Sequence, residues 1–511
     1  MSNFDAVIIG GGVNGMGAAA LLAKRGRRVL LLEANEKCGG AIRTEEVTLP
    51  GFRHDLFATN LSLFAGGPIM AVLKDDLIKH GLDFVPSTKP FCSVFPDGKA
   101  LGVIQDFAAT EANIARIAPE DLDAWRALSA KLGLLAPHIL PILGNELPSF
   151  KAAKALYKSW RALGTQEFLS LIRLLLQSTR AFTSEHFTAR ETRALAASWG
   201  MHLDYGPDIA GGALFAFLES IGGQMFGMVL GKSGADVITK ALCGVITEYG
   251  GEIRTSSRVS SIISENGKAV GVTLAHGEVI KAKDIIANIN PALIPALLDS
   301  SERSKPSISE VTKFQPGLST MMIHLAMDQL PQWRAKEARE YNYVHIGPYL
   351  DDMALTYAEA AAGKLPSSPT LVVGQPTLTD PSRAPAGKHV LWVQVRVLPQ
   401  GIDWASEGER YADRIIEIIE IYAPGTKASI LARKVMTPSD LENYNANLIG
   451  GDSLGGSHHL SQFFFLRPTP AWSRHRTPIK NLWICGSGTW PGGGVGGGSG
   501  ALVASALGAK Q

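Results

Sequence analysis

Glycine-rich turns stand near both ends of this sequence, and each follows a short apolar run and precedes a stretch typical of a helix. The first occupies residues 10–15, directly after the apolar residues 6–9, and the second occupies residues 492–500, after residues 482–485. Glycine lets backbone N–H groups approach a ligand closely, and the following helix directs its positive end to the same point. Two such turns predict one large anionic cofactor held from both sides.

The first turn lies inside a pattern typical of a βαβ unit. It joins a predicted strand over residues 4–9 to a predicted helix over residues 13–25, and a second predicted strand then ends at Glu33. In such a unit Gly10 makes the tight turn, Gly12 lets a pyrophosphate approach, and Gly15 lets helix and strand pack closely. Glu33 can accept hydrogen bonds from a ribose diol. The dinucleotide site predicted here comprises Gly10, Gly12, Val13, Asn14, Gly15, Glu33 and Ala34.

Composition limits the kinds of protein this chain can be. It has 511 residues, 46% of them hydrophobic and 19% charged, so it can bury a substantial core, and it is long enough for about two to four domains. A net charge of +2 argues against a nucleic-acid partner. The cysteines form no CxxC pair, which argues against a metal–thiolate cluster and a redox-active dithiol and agrees with a reducing cytoplasm. These cysteines are Cys38, Cys92, Cys243 and Cys485.

A second pair of glycines follows the acidic residue within one loop. Gly39 and Gly40 are followed by Ala41 and, two residues later, by Arg43. This loop resembles the large FAD-binding family that includes phytoene desaturases, amine oxidases and retinol saturase. Since Ala41 stands where that family has an arginine, the resemblance implies that either Arg43 or Lys37 makes the basic contact with FAD. The implied FAD contacts of this loop are Gly39, Gly40, Ala41, Arg43 and Thr44.

Later segments resemble the same family. Residues 50–55 resemble its PGF-x-x-D turn, and residues 379–389 resemble a segment common in phytoene-dehydrogenase-like proteins. Residues 231–236 open a predicted helix that precedes a group of predicted strands, as in the family's second FAD-contacting region. The resemblance implies that the backbone of a valine after a basic residue pairs with the adenine. The implied contacts of this region are Arg258, Val259 and Asn288.

The second glycine turn lies between a predicted strand over residues 481–485 and a predicted helix over residues 499–507. The resemblance implies that this turn lies under the isoalloxazine ring of the flavin. A helix N-terminus carries about half a positive elementary charge, so it would favour the anionic reduced flavin. The implied contacts of this turn are Gly486, Gly488, Gly493, Gly494 and Val495.

Histidines are the candidates for a catalytic polar group near the flavin. His458 and His459 lie in a Gly/Ser-rich segment that resembles the phytoene-dehydrogenase-like branch, and the alternative is that both bind the backbone of that turn. His202 is a third candidate. A flavin desaturase needs little from its side chains, because a hydride can pass from a substrate carbon to flavin N5 and the adjacent proton can leave to a base or to solvent. No Ser/His/Asp set or metal-ligand cluster stands out, so we expect no metal site.

The predicted fold class is α/β, with a Rossmann-like FAD-binding domain and a discontinuous α+β substrate domain. Residues 1–100, 226–298 and 475–511 are assigned to the FAD-binding domain. Residues 101–225 and 299–474 lack the regular βα alternation and are assigned to a substrate-binding domain with a helical insertion.

The predicted activity is that of an FAD-dependent oxidoreductase that dehydrogenates a C–C bond of an apolar or partly apolar substrate by hydride transfer to flavin N5. A flavin amine oxidase and a redox-neutral, carotenoid-type isomerase remain alternatives, because their FAD motifs overlap. A non-enzymatic lipid-binding protein like the Rab escort and GDP-dissociation-inhibitor proteins is a further alternative, although the intact glycine motif and Glu33 argue against it. The electron acceptor, oxygen or a quinone, stays open.

One predicted helix, over residues 151–163, leaves a membrane contact open. Its basic residues fall on one face and its apolar residues on the other. Either this helix lies on an anionic membrane or its apolar side packs into its own domain. No apolar stretch supplies the roughly 20 residues needed to cross a bilayer, and no targeting segment is visible, so we expect a cytoplasmic protein with peripheral membrane contact at most. The basic set is Lys151, Lys154, Lys158 and Arg161, and the apolar set is Ala152, Leu156, Trp160 and Leu163.

Overall fold

The computed structural model describes residues 4–508. The strands are β1 (Phe4–Ile9), β2 (Val29–Leu32), β3 (Thr44–Glu45), β4 (His54–Asp55), β5 (Phe84–Ser87), β6 (Phe91–Val94), β7 (Ala100–Val103), β8 (Met228–Gly231), β9 (Glu252–Arg254), β10 (Val259–Glu265), β11 (Lys268–Leu274), β12 (Val279–Ala287), β13 (Ser319–Met327), β14 (Tyr343–Ile346), β15 (Thr370–Gly374), β16 (His389–Leu398), β17 (Ile430–Met436) and β18 (Leu482–Ile484).

The helices are α1 (Val13–Lys24), α2 (Ser62–Ala65), α3 (Pro68–Lys79), α4 (Phe107–Ile117), α5 (Leu122–Leu143), α6 (Phe150–Leu176), α7 (Thr179–His186), α8 (Arg190–Met201), α9 (Gly212–Phe226), α10 (Val237–Glu248), α11 (Ser300–Arg303), α12 (Pro306–Ser309), α13 (Leu350–Ala361), α14 (Trp404–Tyr422), α15 (Pro438–Tyr444) and α16 (Gly498–Ala506).

The first large sheet has the parallel core of a Rossmann-like fold. Its strands follow the order β10-β11-β12-β1-β2-β9, and β18 pairs with the second half of β12. The pairs β1–β2, β1–β12, β2–β9 and β12–β18 are parallel, and β10, β11 and the first part of β12 form an antiparallel extension. The two glycine turns follow β1 and β18, which pair in parallel with β12 from either side, so both turns lie at the carboxyl ends of parallel strands, where ligands bind in such sheets.

The second large sheet follows the order β17-β13-β16-β15-β14-β6-β7. On one face, α14 packs Tyr411 and Ile415 into an apolar cluster with Val393. On the other face, Trp392 belongs to a cluster that includes residues of α8 and α9, such as Trp199. The expected domain boundary between residues 100 and 101 falls inside β7, and β6, which precedes it, belongs to the same sheet. The α/β fold class is confirmed, and the domain ranges stay a prediction.

Helix α6 carries the basic residues singled out in the sequence. It bends at Gly164, which has φ of 76° and ψ of 166°. Ala152 and Ser159 are buried, whereas Phe150 is 85% exposed, Tyr157 59% and Trp160 36%. The apolar side of this helix is therefore only partly packed against the chain. None of the helices within residues 4–508 has the length and apolar character required to pass through a bilayer.

Candidate active site

The first glycine turn connects β1 to α1 in a space that excludes side chains. Gly10 has a φ of +96°, a left-handed conformation that favours glycine. A Cβ atom on Gly15 would lie 2.3 Å from the carbonyl oxygen of Gly10, so glycine at this position allows α1 to begin very close to the strand. Val13 and Asn14 are buried in the first turn of α1.

Glu33 is 8% exposed and lies directly beside this turn. Its Oε2 accepts a hydrogen bond from Gly11 N at 2.7 Å, and its Oε1 accepts one from Asn35 N at 2.8 Å. A carboxylate has about four lone-pair sites, so each oxygen keeps capacity for a ribose hydroxyl. Ala34, the next residue, is exposed.

Asn288 lies between the two glycine turns. Its Nδ2 donates to the carbonyl oxygen of Gly10 at 3.0 Å, and its Oδ1 is 3.1 Å from the point where a Cβ of Gly486 would stand. Its backbone N donates to Ile9 O at 2.8 Å, which continues the β1–β12 pairing. The Asn288 amide therefore binds the first turn and lies against Gly486 ahead of the second, a placement that the sequence did not distinguish from direct cofactor contact.

The two glycine clusters meet because the helices that follow them pack together. A Cβ on Gly500 of α16 would lie 2.0 Å from the carbonyl oxygen of Asn14, and Gly500 N donates to Asn14 Oδ1 at 3.2 Å. Ser499 Oγ accepts from Gly486 N at 3.1 Å and bonds Thr489 Oγ1 at 2.6 Å. The N-termini of α1 and α16 thus lie side by side, and both direct positive charge to one region.

The paired glycines of the next loop lie opposite the first turn. Gly39 N donates to Gly11 O at 2.8 Å, and a Cβ on Gly40 would lie 3.1 Å from Gly12 Cα. This approach leaves a narrow cradle between the backbones of Gly12 and Gly40, which a Cβ would fill, with the side chains of Cys38 and Asn288 beside it. Such a cradle suits the pyrophosphate of a dinucleotide, which needs close contact with backbone N–H groups.

Beside this cradle lies a cavity of about 740 Å³. Lys37 and Arg43 both line this cavity, so either side chain could make the basic contact with the cofactor. Arg43 is already engaged: its guanidinium pairs with Glu45 and lies 5.0 Å from the ring centroid of Tyr444. Thr44, which also lines the cavity, donates its hydroxyl to Asp55 Oδ1 at 2.6 Å.

The region expected to hold the adenine lies next to Glu33. Ser257 N donates to the backbone oxygen of Glu33 at 2.8 Å, and Arg258 O accepts from Ala275 N at 2.8 Å. Val259 is 8% exposed, begins β10 and pairs with Leu274 just before a register shift. The segment 257–259 therefore runs beside the residue predicted to bind the ribose.

His458 is joined to the carboxy-terminal glycine turn. Its Nε2 accepts a hydrogen bond from Gly493 N at 2.8 Å, and Gly492 and Gly494 on either side have φ of +109° and +118°. Burial, followed by the nearby charge of Arg467, lowers the pKa of His458 well below its usual value, so the ring is neutral. One turn N–H is therefore bound to His458, which supports the backbone-binding alternative for this residue.

The other residues of the carboxy-terminal turn are closely packed. A Cβ on Gly488 would lie 2.4 Å from Pro291 Cδ, and one on Gly494 would lie 2.8 Å from Leu63 Cδ1. Val495 is partly buried against the apolar cluster that contains α1 and α16.

His459 is half-buried and bound to the segment around Asp204. Its Nε2 lies 3.0 Å from Tyr357 Oη, 3.0 Å from the backbone oxygen of Asp204 and 3.6 Å from Asp204 Oδ2. Burial raises the pKa of the Asp204 carboxyl to about 6. Tyr205 donates its hydroxyl to the backbone oxygen of His458.

The structure does not group the His202 side chain with His458 and His459. Its ring packs 4.6 Å from that of Trp199 and 5.1 Å from that of His345, measured between centroids. Burial lowers the pKa of His202 well below its usual value. Only its neighbours Asp204 and Tyr205 reach the 458–459 turn.

A buried ion cluster joins three segments whose family resemblance was visible in the sequence. Arg383 is 0% exposed; its Nη1 donates to Asp55 Oδ2 at 2.6 Å and its Nε to Asp380 Oδ2 at 3.1 Å. Its Nη2 donates to Gly231 O at 2.7 Å, and Asp55 Oδ1 accepts from Ala235 N at 2.8 Å. Residues 50–55, 231–236 and 379–389 therefore form one structural junction. The sequence flagged each segment but contained no signal that they meet.

Comparisons with known proteins agree with this geometry. The family model described as flavin containing amine oxidoreductase matches residues 14–418. The mouse protein named pyridine nucleotide-disulfide oxidoreductase domain-containing protein 2 is 28% identical, over 97% of this chain and 92% of its own length. A 4,4'-diapophytoene desaturase of a Methylomonas species is 25% identical, over 96% of this chain and 92% of its own. An oxidoreductase structure from Methanosarcina mazei has a TM-score of 0.63 at 19% identity, over 98% of this chain and 99% of its own.

The fold and the paired glycine turns define a flavin-dependent oxidoreductase. The chain belongs to the flavin containing amine oxidoreductase family, whose wider group includes the phytoene desaturases, and its cofactor is FAD. The resemblance seen in the sequence is confirmed. The roles of the individual site residues stay predictions.

Proposed function

We propose that this enzyme dehydrogenates a C–C bond of an apolar or partly apolar substrate. One observation carries the proposal: an aromatic cluster lies against the carboxy-terminal glycine turn. The ring of Phe463 lies 5.6 Å from that of Trp490, 5.8 Å from that of Phe215 and 5.2 Å from that of His458, and Phe215 stacks on Tyr205 at 5.4 Å. Such surroundings exclude water and suit a hydrocarbon. A desaturase among the relatives supports the same reaction class.

When bound, FAD supplies the acceptor for the hydride, and the protein supplies orientation and electrostatics. The glycine cradle, Glu33 and the segment 257–259 would hold the ADP-ribosyl half. The N-terminus of α16 would lie by the ring and stabilise the negative charge of reduction. His458 fixes the turn by accepting the Gly493 N–H. His459 is half-exposed, and its Nε2 donates to the backbone oxygen of Asp204 beside Tyr357, so its other ring nitrogen, Nδ1, would take the substrate proton.

The test is anaerobic mixing of the oxidised holoenzyme with a panel of polyenes, cyclic ketones and saturated acyl compounds. Loss of the flavin absorbance band with at least one compound, together with a product two hydrogens lighter, is expected. No bleaching across the panel would count against the proposal. Reoxidation of the bleached enzyme by oxygen or by a quinone would then identify the acceptor.

Amine oxidation is the second candidate, because the matching family is named for it. Peroxide formation with primary and secondary amines, at rates well above those with any hydrocarbon, would favour it. A substrate converted without net consumption of an electron acceptor would instead indicate the isomerase alternative.

We also propose that α6 contacts an anionic membrane surface, which an apolar substrate would favour. The exposed Phe150 and Tyr157 lie on the same helix as exposed basic residues, and aromatic and basic side chains together suit a lipid headgroup region. The basic residues are Lys151, Lys154, Lys158 and Arg161.

A further inference from the structure

Strand β16 carries a charged residue on its inner face. By the alternation of a strand, Trp392, Gln394 and Arg396 lie on one face, while Val393 and Val395 lie on the other and pack into the cluster that contains α14. Trp392 packs with residues of α8, and Arg396 Nη1 donates to His202 O at the carboxyl end of α8, so this face covers α8. An arginine in a strand that otherwise reads His-Val-Leu-Trp-Val-Gln-Val is the sequence signal for this position.

Arg396 lacks the partners that other buried arginines of this chain have. Arg383 binds two carboxylates, and Arg467 donates to the backbone oxygens of Ser457, Gly455 and Ser487. Arg396 makes one such bond, from Nη1 to His202 O at 2.8 Å, and its buried Nε has no hydrogen-bond partner among residues 4–508. Burial lowers the pKa of Arg396 to about 10. A buried guanidinium without an anion is costly, so it indicates a missing partner.

Asp452 is the carboxylate that interacts electrostatically with Arg396, but its oxygens already accept other hydrogen bonds. Its Oδ2 accepts from Gly317 N at 2.9 Å and Gly456 N at 2.6 Å, and its Oδ1 accepts from Leu454 N at 2.8 Å. Within the described residues no carboxylate oxygen lies within 4.0 Å of the Arg396 guanidinium nitrogens. The protein itself thus leaves this charge without a direct counter-ion.

Neutral histidines surround the guanidinium. His345 Nδ1 bonds Ser198 Oγ at 3.2 Å, whereas Nε2 of His345 and Nε2 of His202 have no partner within residues 4–508. Burial, with a smaller effect of Arg396, holds the pKa of His345 at about 3. Both rings are therefore neutral. Because Ser198 Oγ donates to Leu195 O at 2.9 Å, it accepts from His345 Nδ1, which leaves His345 Nε2 an acceptor. His202 Nε2, in contrast, can donate one hydrogen bond to a ligand.

The surroundings provide an apolar continuation. His202 and Arg396 are only partly covered by the chain, whereas His345 is 1% exposed. The ring of Trp199 lies 4.9 Å from that of Phe91, and Tyr343 stacks on Trp392 at 5.6 Å along the same face of the sheet. A polar end therefore adjoins an aromatic wall.

We propose that Arg396, His202 and His345 form a subsite for a carboxylate at one end of an otherwise apolar substrate. This inference rests on the proposed function and narrows its substrate class to apolar carboxylic acids. The bound carboxylate would pair with the guanidinium and accept a hydrogen bond from His202 Nε2, while His345 borders the subsite. Charge-assisted hydrogen bonds of this kind correspond to about a tenfold to 100-fold gain in affinity.

The test measures binding to the oxidised holoenzyme by isothermal calorimetry, which needs no turnover. The probes are three matched pairs: decanoate and 1-decanol, geranate and geraniol, cinnamate and cinnamyl alcohol. We expect the wild-type protein to bind at least one carboxylate about tenfold or more tightly than its alcohol. Arg396→Met should lose this preference, and Arg396→Lys should keep part of it. Arg433→Met is the control, because Arg433 lies on β17 of the same sheet and is paired with Glu409 and Asp413.

The outcomes separate this inference from the proposed function. Equal affinity for all acids and alcohols, or a preference that survives in Arg396→Met, overturns the subsite even if hydrocarbons bleach the flavin. A carboxylate preference that only Arg396 variants lose supports it even if no tested compound is oxidised. Without ligand, Arg396→Met should melt no lower than wild type and keep its FAD. A large loss of melting temperature or of FAD would make Arg396 a structural or cofactor-binding residue and overturn the proposal.

Discussion

Replacing Arg383 by methionine tests the buried junction between the cofactor-binding region and the second sheet. The change removes three hydrogen bonds, to Asp55, Asp380 and Gly231, but leaves both carboxylates almost fully buried. Asp380 Oδ2 keeps the N–H of Ser233 at 2.6 Å, whereas Asp55 Oδ2 loses the one side-chain hydrogen bond that it accepts within residues 4–508. Asp55 Oδ1 keeps its hydrogen bonds from Thr44 and Ala235, but the buried carboxylate has lost its cationic partner, which costs about 3–5 kcal/mol of unfolding free energy.

The measurement is equilibrium urea unfolding at pH 7.5 with the same excess of FAD for every variant. The matched control is Arg410→Met, because Arg410 is 77% exposed and its pairing with Glu407 on α14 is worth at most about 1 kcal/mol. Adding Asp55→Asn and Asp380→Asn to Arg383→Met should recover a large part of the loss, because the unpaired charges disappear with the arginine.

FAD content gives a second readout, because Arg383 connects the 231–236 segment to the loop that contains Asp55, and both flank the 740 Å³ cavity. We expect the single variant to bind FAD more weakly and the triple variant to regain it. If Arg383→Met unfolds within about 1 kcal/mol of wild type, or if the triple variant is no better than the single one, the reasoning about uncompensated charge is refuted.

Further predictions concern packing, pH and membrane contact. Gly500→Ala should lower the free energy of unfolding by about 1–3 kcal/mol and release much of the FAD, because its Cβ would clash with α1. Gly133→Ala on α5 is the control and should be neutral, because a Cβ there meets open space. Thermal melting and flavin absorbance measure the two effects. Burial lowers the pKa of His324 and of His475 to about 4, below the unfolded value near 6.5. The folded protein should therefore lose stability as the pH falls from about 6.5 to 4, by about 1.4 kcal/mol per pH unit for each ring. Urea midpoints that do not change across this range would contradict it. Phe150→Ser should reduce sedimentation with phosphatidylserine vesicles and leave flavin absorbance unchanged, and equal sedimentation of both proteins would remove the proposed contact.

Local sequence patterns were sufficient to predict the strand, turn and helix that form the cofactor-binding region. The spacing of Gly10, Gly12, Gly15 and Glu33 defines a βαβ unit within one short stretch, because strand, turn and helix depend on neighbouring residues. The predicted strand over 4–9 and the helix beginning at 13 agree with β1 and α1. The strand and helix around the second glycine turn agree within about one residue, with α16 at Gly498–Ala506.

The candidate catalytic site was less accessible from the sequence. His458 and His459 are adjacent in the chain, yet one ring is buried on Gly493 and the other is half-exposed beside Asp204. A histidine's neighbours set its protonation, and those neighbours come from distant segments. Asp204 and His459 are 255 positions apart, and no local sequence pattern connects them, so only the folded chain brings them together.

The sequence by itself determined the cofactor, the Rossmann-like unit and the oxidoreductase class, because glycine conformation and strand periodicity are encoded locally. Only the tertiary structure decided which buried charged groups have a partner of opposite charge. Asp55 and Arg383 are 328 residues apart and satisfy each other, while Arg396 lies in an apolar strand and stays without an anion. The physical reason is that the cost of a buried charge depends on what surrounds it in three dimensions.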